Sequence, residues 1–198
     1  MRENYREQLD DILADLVQMC QTVSGAVRTA TTALLEADLQ LAETVISEDE
    51  AIDAKQREVE ARAFSLLARQ APVAGELRTV VTTLRMVTEL ERMGDLAAHV
   101  AKIARLRYPE VAVPDSLRSN FVRMGDVAEK MVVTAGQTLN DRNIQVAQEL
   151  RSRDEEMDEL RRTQFRVLLS DEWSDGVEKA VDVALLGRYY ERIADHAA

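Results

Sequence analysis

Glu91, Arg92 and Asp95 stand in the run Leu90-Glu91-Arg92-Met93-Gly94-Asp95, and the same order returns one hundred residues later as Tyr190-Glu191-Arg192-Ile193-Ala194-Asp195. In each copy the two acids are four residues apart, a spacing that puts both carboxylates on one face of a helix. Like charges so placed repel by about 0.2–0.5 kcal/mol. A repulsion kept at matching places in two halves of a chain points to a shared task. Coordination of a hard or borderline metal ion by oxygen would compensate it.

Two further acidic pairs join these. Asp49 interrupts the apolar stripe Ala42, Val45, Ile52, Val59, Ala63, Leu66, which also carries Gln56, and Asp53 follows four residues on. Asp154 interrupts the stripe Ala147, Leu150, Met157, which ends on Arg161, and Asp158 follows it. The candidate metal ligands are therefore Asp49, Asp53, Glu91 and Asp95 in the first half, and Asp154, Asp158, Glu191 and Asp195 in the second. Packed helices lie about 8–10 Å apart, so carboxylates on facing stripes can reach one cation at about 2.0–2.6 Å.

A plainer reading competes. Acids four apart also occur at Glu7/Asp11, Asp11/Asp15 and Asp171/Asp175, where they read as solvated faces. Arg92 and Arg192 could neutralise the acids beside them, although adjacency turns them about 100° around the helix, towards another surface. His99 could add a ligand, but His99 and His196 do not match between the halves and lack the Glu-x-x-His spacing of ferritin-like di-metal sites, so both read first as packing or solvated residues. No Gly-rich phosphate loop and no Ser/His/Asp order is present. Trp173 reads as a cap on the end of a bundle or an exposed contact.

The elements that must carry these residues are long helices. Tyr5, Leu9, Ile12, Leu16, Met19, Val23, Ala26, Ala30 and Ala33 alternate at spacings of four and three, the seam of a helix packed nearly parallel to others. Asp38 is placed to cap a second helix over about Leu39 to Gln70. Pro72 is placed to open a third, with Leu77, Val80, Leu84, Val87, Glu91 and Asp95 on its inner face and an end near Tyr108. Pro109 and Pro114 bracket a break that separates residues 1–108 from 115–198. The pattern then restarts with Leu117, Phe121, Met124, Ala128, Met131 and Ala135. A shift of 105 residues lays helix five on helix two, and a shorter turn around Trp173 changes that shift to 100, which aligns the two Glu-Arg motifs. The chain predicts an all-α fold of two tandem three-helix bundles. It ends at Ala198, three residues past Asp195, so the last helix is expected to be unusually short or to lack its end.

Composition narrows the partners. With 36 acidic against 25 basic residues the net charge is −11, which argues against a nucleic-acid footprint and against direct attraction to anionic membrane. Cys20 is the only cysteine, so no intrachain disulfide forms, and it reads as a small buried hydrophobe. The charged start Met1-Arg2-Glu3-Asn4-Tyr5-Arg6-Glu7 carries no apolar leader, and no long uncharged apolar stretch follows. A cytoplasmic protein is expected.

Pro72-Val73-Ala74-Gly75-Glu76-Leu77-Arg78 ahead of Glu91-Arg92-Met93-Gly94-Asp95, with Arg188-Tyr189-Tyr190-Glu191-Arg192-Ile193-Ala194-Asp195 as a second copy, resembles the PhoU family of phosphate-transport accessory proteins. The resemblance implies two antiparallel three-helix bundles related by a pseudo-twofold. It also implies metal (iron, zinc, manganese or magnesium) at Glu91/Asp95 and Glu191/Asp195. It further implies a non-enzymatic adaptor between the ATPase of a phosphate ABC transporter and a sensor histidine kinase, repressing the starvation response when phosphate is plentiful. Membrane contact would be only through those partners, and a homodimer is open. Two other readings remain: a carboxylate-bridged helical metalloenzyme, which would want histidine ligands, and a metal-free interaction module of co-chaperone type.

Overall fold

The computed structural model describes the backbone of residues 2–70, 72, 75–141 and 144–198, and the side chains of these except 2–4, 70, 139–141, 144, 145 and 147. Six helices follow one another: α1 (Arg2–Glu36), α2 (Leu39–Gln70), α3 (Gly75–Arg107), α4 (Asp115–Asp141), α5 (Ile144–Leu168) and α6 (Gly176–Ala197). The bounds of α2 match the seam, and the cap is real: the Leu41 amide donates to Asp38 Oδ1 at 2.9 Å. The third helix departs from expectation at its start. Among the described residues it runs from Gly75, and Pro72 lies ahead of it outside regular structure, since a fixed φ suits a first turn without nucleating one. Leu77, expected on the inner face, is 42% exposed. It falls in the first turn of α3, and burial on that helix begins one turn later at Val80. Ala147 lies outside the described side chains.

Helices α1, α2 and α3 pack on one another, as do α4, α5 and α6. Between the trios α1 meets α4 and α3 meets α6, while among the described residues α2 and α5 touch only their own trio. Like pairing with like is what a twofold relation between repeats requires. The core is continuous across that interface, from Ile12, Leu16 and Val23 on α1 to Phe121, Met124 and Met131 on α4 and Leu186, Tyr190 and Ile193 on α6. The linker packs down as well, burying Ala112 and Val113.

Polar contacts fix the register of the two repeats. Thr31 Oγ1 and the Tyr190 hydroxyl lie 2.7 Å apart inside the core. Arg107 at the end of α3 binds both oxygens of Asp182 on α6, with Nη2 at 3.0 Å from Oδ1, a fork geometry that suits a carboxylate as buried as this one. α6 has 22 residues against 33 for α3. Among the described residues no helix is long and apolar enough to cross a membrane.

Candidate metal centre

The first acidic cluster sits where α2 lies against α3. Ile52 on α2 and Met93 and Gly94 on α3 are buried, and their packing sets the separation of the acids around them. Gly94 makes the approach close: a methyl group there would stand 3.0 Å from Ile52 Cδ1 and 3.5 Å from Asp49 Oδ1. That carboxylate oxygen is buried and has no hydrogen-bond partner among the described residues. Buried carboxylate oxygens are costly unless something compensates them.

The electrostatics tie the four acids together. Burial raises the Asp49 carboxyl above the ordinary carboxylate range, and Asp53 and Asp95 add to it, with Lys102 and His99 opposing. Glu91 is raised in the same way, first by burial and then by Asp53, Asp95 and Asp49, with Arg92 opposing. Asp49 and Glu91 therefore both feel Asp53 and Asp95, and Glu91 also feels Asp49. A cation placed among them would reverse the sign of that interaction.

The second cluster repeats the placement with different company. Burial raises Asp154, and Asp158, Asp195, Glu191 and Glu155 raise it further. Asp158 and Asp195 are exposed, and Asp158 lies 3.9 Å from Arg162. Glu191 carries two cations of the chain: Arg161 Nε at 3.7 Å from Oε1, and Arg188 on Oε2. Among the described residues no group of three or more His, Cys, Asp or Glu side chains is already gathered about a point that suits an ion. Loading either cluster would draw side chains inward from their present rotamers.

The motif arginines face elsewhere, as their offset around the helix demands. Arg92 reaches Glu89 at 3.5 Å, and Arg192 donates towards His196 Nε2 at 3.4 Å. His99 is tied locally, its Nδ1 donating to the Asp95 carbonyl at 2.7 Å and its ring packed against Tyr189 at 5.4 Å. His196 pairs with Glu89 across the α3–α6 interface. Trp173 closes the end of the bundle, donating from Nε1 to the Gly176 carbonyl at 3.0 Å. Sequence reasoning placed Arg161 on the inner stripe but assigned it no partner, and it missed Arg188. The available signal for Arg188 was its position three residues before Glu191, within helical reach.

The profile described as the PhoU domain matches residues 16–104 and 121–198, both repeats and both acidic motifs. The chain belongs to the PhoU family. Over 197 residues it is 47% identical to the phosphate-specific transport system accessory protein PhoU homolog 1 of Mycobacterium leprae, covering all of this chain and 89% of that one. It is also 47% identical to PhoU homolog 2 of Mycobacterium tuberculosis, with 92% of that chain covered. The crystal structure of PhoU from Pseudomonas aeruginosa superposes with a TM-score of 0.91 at 28% identity, covering 98% of this chain and 93% of that one. The PhoU structure from Streptococcus pneumoniae, at 24% identity, shares the fold with a TM-score of 0.86 over 98% and 91% of the two chains. The two-bundle fold expected from the repeat is therefore the fold of PhoU structures.

Proposed function

We propose that this PhoU-family chain is a non-enzymatic regulator of phosphate uptake that takes metal through acidic residues on facing helices. It acts in the cytoplasm as an adaptor between the ATPase of a phosphate ABC transporter and a sensor histidine kinase, and holds the starvation response off when phosphate is plentiful. Membership of a family whose relatives are named accessory proteins of a phosphate-specific transport system supports the transport role. The observation that carries the metal part is Asp49 Oδ1, buried and unpartnered among Asp53, Glu91 and Asp95. Hard and borderline ions such as magnesium, manganese, iron or zinc suit an all-carboxylate set, and availability selects among them. The acids Asp154, Asp158, Glu191 and Asp195 are the second candidate set. Helix surfaces that are charged over most of their length, with no Ser, Thr or Cys side chain hydrogen-bonded to a His, Asp or Glu side chain among the described residues, favour an adaptor over an enzyme.

Two measurements test this. Protein stripped with chelator, reloaded with Mn2+ and desalted should retain metal by elemental analysis, and Asp95→Asn should lower the amount. Equal retention in both would remove the metal assignment. Capture of tagged protein from phosphate-replete cells should bring down the transporter ATPase or the kinase; recovery of neither would remove the adaptor role.

A further inference from the structure

The two acidic clusters occupy equivalent places in the repeats, yet the residues that face them differ in charge. The shift of 105 that carries Asp49 to Asp154 carries Gln56 to Arg161 and Glu60 to Phe165. The shift of 100 that carries Glu91 to Glu191 carries Thr88 to Arg188. In the first repeat both positions are neutral and turned to local partners. Gln56 donates to Glu60 at 3.3 Å, and the Thr88 hydroxyl donates to the Leu84 carbonyl at 3.0 Å. In the second repeat both are guanidinium groups on Glu191.

Arg161 is built in rather than loosely placed. Its side chain is 18% exposed and that of Glu191 17%. Its guanidinium lies over the Phe165 ring, 5.1 Å from the centroid, the stacked cation–π arrangement that arginine favours. At 3.7 Å the contact with Glu191 is an ion pair without being a hydrogen bond. Arg161 Nη1 is buried with no hydrogen-bond partner among the described residues. The orphaned polar atoms of the two repeats are thus opposite in sign: a carboxylate oxygen in the first and a guanidinium nitrogen in the second. A guanidinium is a fixed positive charge with donors and no acceptor, so it leaves no place for a second cation beside it.

We propose that Arg161 is the resident counter-cation of the second cluster, so that this chain takes an exchangeable divalent ion at Asp49, Asp53, Glu91 and Asp95 and not at Asp154, Asp158, Glu191 and Asp195. The inference rests on the metal reading above and divides it between the repeats. Glu91 lacks an arginine at the positions equivalent to Arg161 and Arg188, and an external ion supplies that charge. Glu191 has both, and a divalent ion entering there would meet Arg161 at short range.

The test is Mn2+ retention after chelator stripping and desalting, in the full chain, with circular dichroism and thermal melting on each variant to establish folding. Wild-type protein should lose its Mn2+ in Asp95→Asn and keep it in Asp195→Asn. Arg161→Gln should about double the retained Mn2+, the added fraction being removed by Asp195→Asn in the same chain. Arg161→Lys keeps a cation at the position and should leave retention at the wild-type level. Gln56→Arg, which writes the second repeat's cation into the first, should reduce retention at least tenfold. Equal loss in Asp95→Asn and Asp195→Asn, or a folded Arg161→Gln with unchanged retention, overturns the role of Arg161 alone. Wild-type protein that retains no Mn2+ overturns the metal reading and this inference with it.

Discussion

Gly125 of α4 lies directly against Thr31 of α1: a methyl group on Gly125 would stand 2.5 Å from Thr31 Cγ2 and 2.8 Å from Oγ1. The twofold mate of this contact is Gly136 against Cys20, where a methyl group would stand 2.8 Å from Cys20 Cβ. The shift of 105 carries Cys20 to Gly125 and Thr31 to Gly136, so both are one contact made twice. In each the bulk is on α1 and the glycine on α4. Thr31 cannot turn aside easily, because it is branched at Cβ and its hydroxyl is held between the Val27 carbonyl at 2.8 Å and the Tyr190 hydroxyl. Gly125→Ala should therefore force the repeats apart and cost about 1–3 kcal/mol, the range for overpacking, read from urea unfolding. Thr31→Ser removes the crowding methyl and keeps the hydroxyl, so it should recover part of that loss in the double variant. An unshifted urea midpoint for Gly125→Ala would contradict the close approach of α1 and α4.

The same interface hides Cys20. Burial pushes its thiol up to about 12, and it is one of the core residues. The thiolate is the reactive form, so at pH 8 only a very small fraction is available, and that fraction is shielded. Native protein should resist a soluble thiol reagent for hours at pH 8 and react with one equivalent in denaturant. Rapid labelling of the native state would show that the α1–α4 contact opens locally.

Carboxyl groups lowered and raised by their surroundings contribute to stability with opposite pH signs. Burial works to raise Asp15, but Lys55, with Nζ at 2.8 Å, and Arg62 hold it below the usual carboxylate range. A depressed value in the folded state gives stability that is present above the ordinary carboxylate pKa of about 3.9 and lost as pH falls through the folded value. Asp49, Glu91 and Asp154 are raised, by burial first and neighbouring carboxylates next. Their contribution is present below the ordinary range of about 3.9–4.3 and lost as pH rises through the raised values. In chelator, Asp49→Asn should raise the urea midpoint at pH 7 and change it little at pH 4, while Asp15→Asn should lower it at pH 7. An Asp49→Asn midpoint at pH 7 equal to or below the parent's would mean the carboxylate is compensated within the chain.

Period and repeat carried most of the fold and the grouping of the acids in each repeat. Spacings of three and four residues located α2 from Leu39 to Gln70, because an amphipathic stripe must face its neighbours along its whole length. The duplicated offsets brought Asp49, Asp53, Glu91 and Asp95 into one field, since helix spacing and bundle packing leave them little choice. What the spacing did not carry is the identity of long-range partners. Gly125 and Gly136 are unremarked glycines in a helical pattern until α1 lies on them, and the Tyr190 hydroxyl finds Thr31 across 159 residues. Arg161 sat on the predicted stripe, but a long side chain reaches several neighbours, and only Phe165 beneath it fixes which one. Leu77 failed at the start of α3 because a period locates a face and leaves open how far the neighbouring helix extends beside it.

The turn between α1 and α2 stores strain that a substitution should release. Ala37 has φ +50, in the left-handed region where a Cβ crowds the following carbonyl at a cost of about 1–2 kcal/mol. The position is the one that follows a helix end and most often holds glycine, and the Asp38 amide donates back to the Ala33 carbonyl at 3.1 Å, closing the turn. Glycine gives back some of the gain through a more flexible unfolded chain, so Ala37→Gly should stabilise by about 0.5–1 kcal/mol net. Ala54, exposed in the middle of α2, is the control: there the same change should destabilise by about 1 kcal/mol through lost helix propensity. The two variants are to be compared by urea unfolding at one pH in chelator. A loss at both positions would mean that the left-handed conformation at residue 37 is not held in solution, and that Asp38 caps α2 from a different turn.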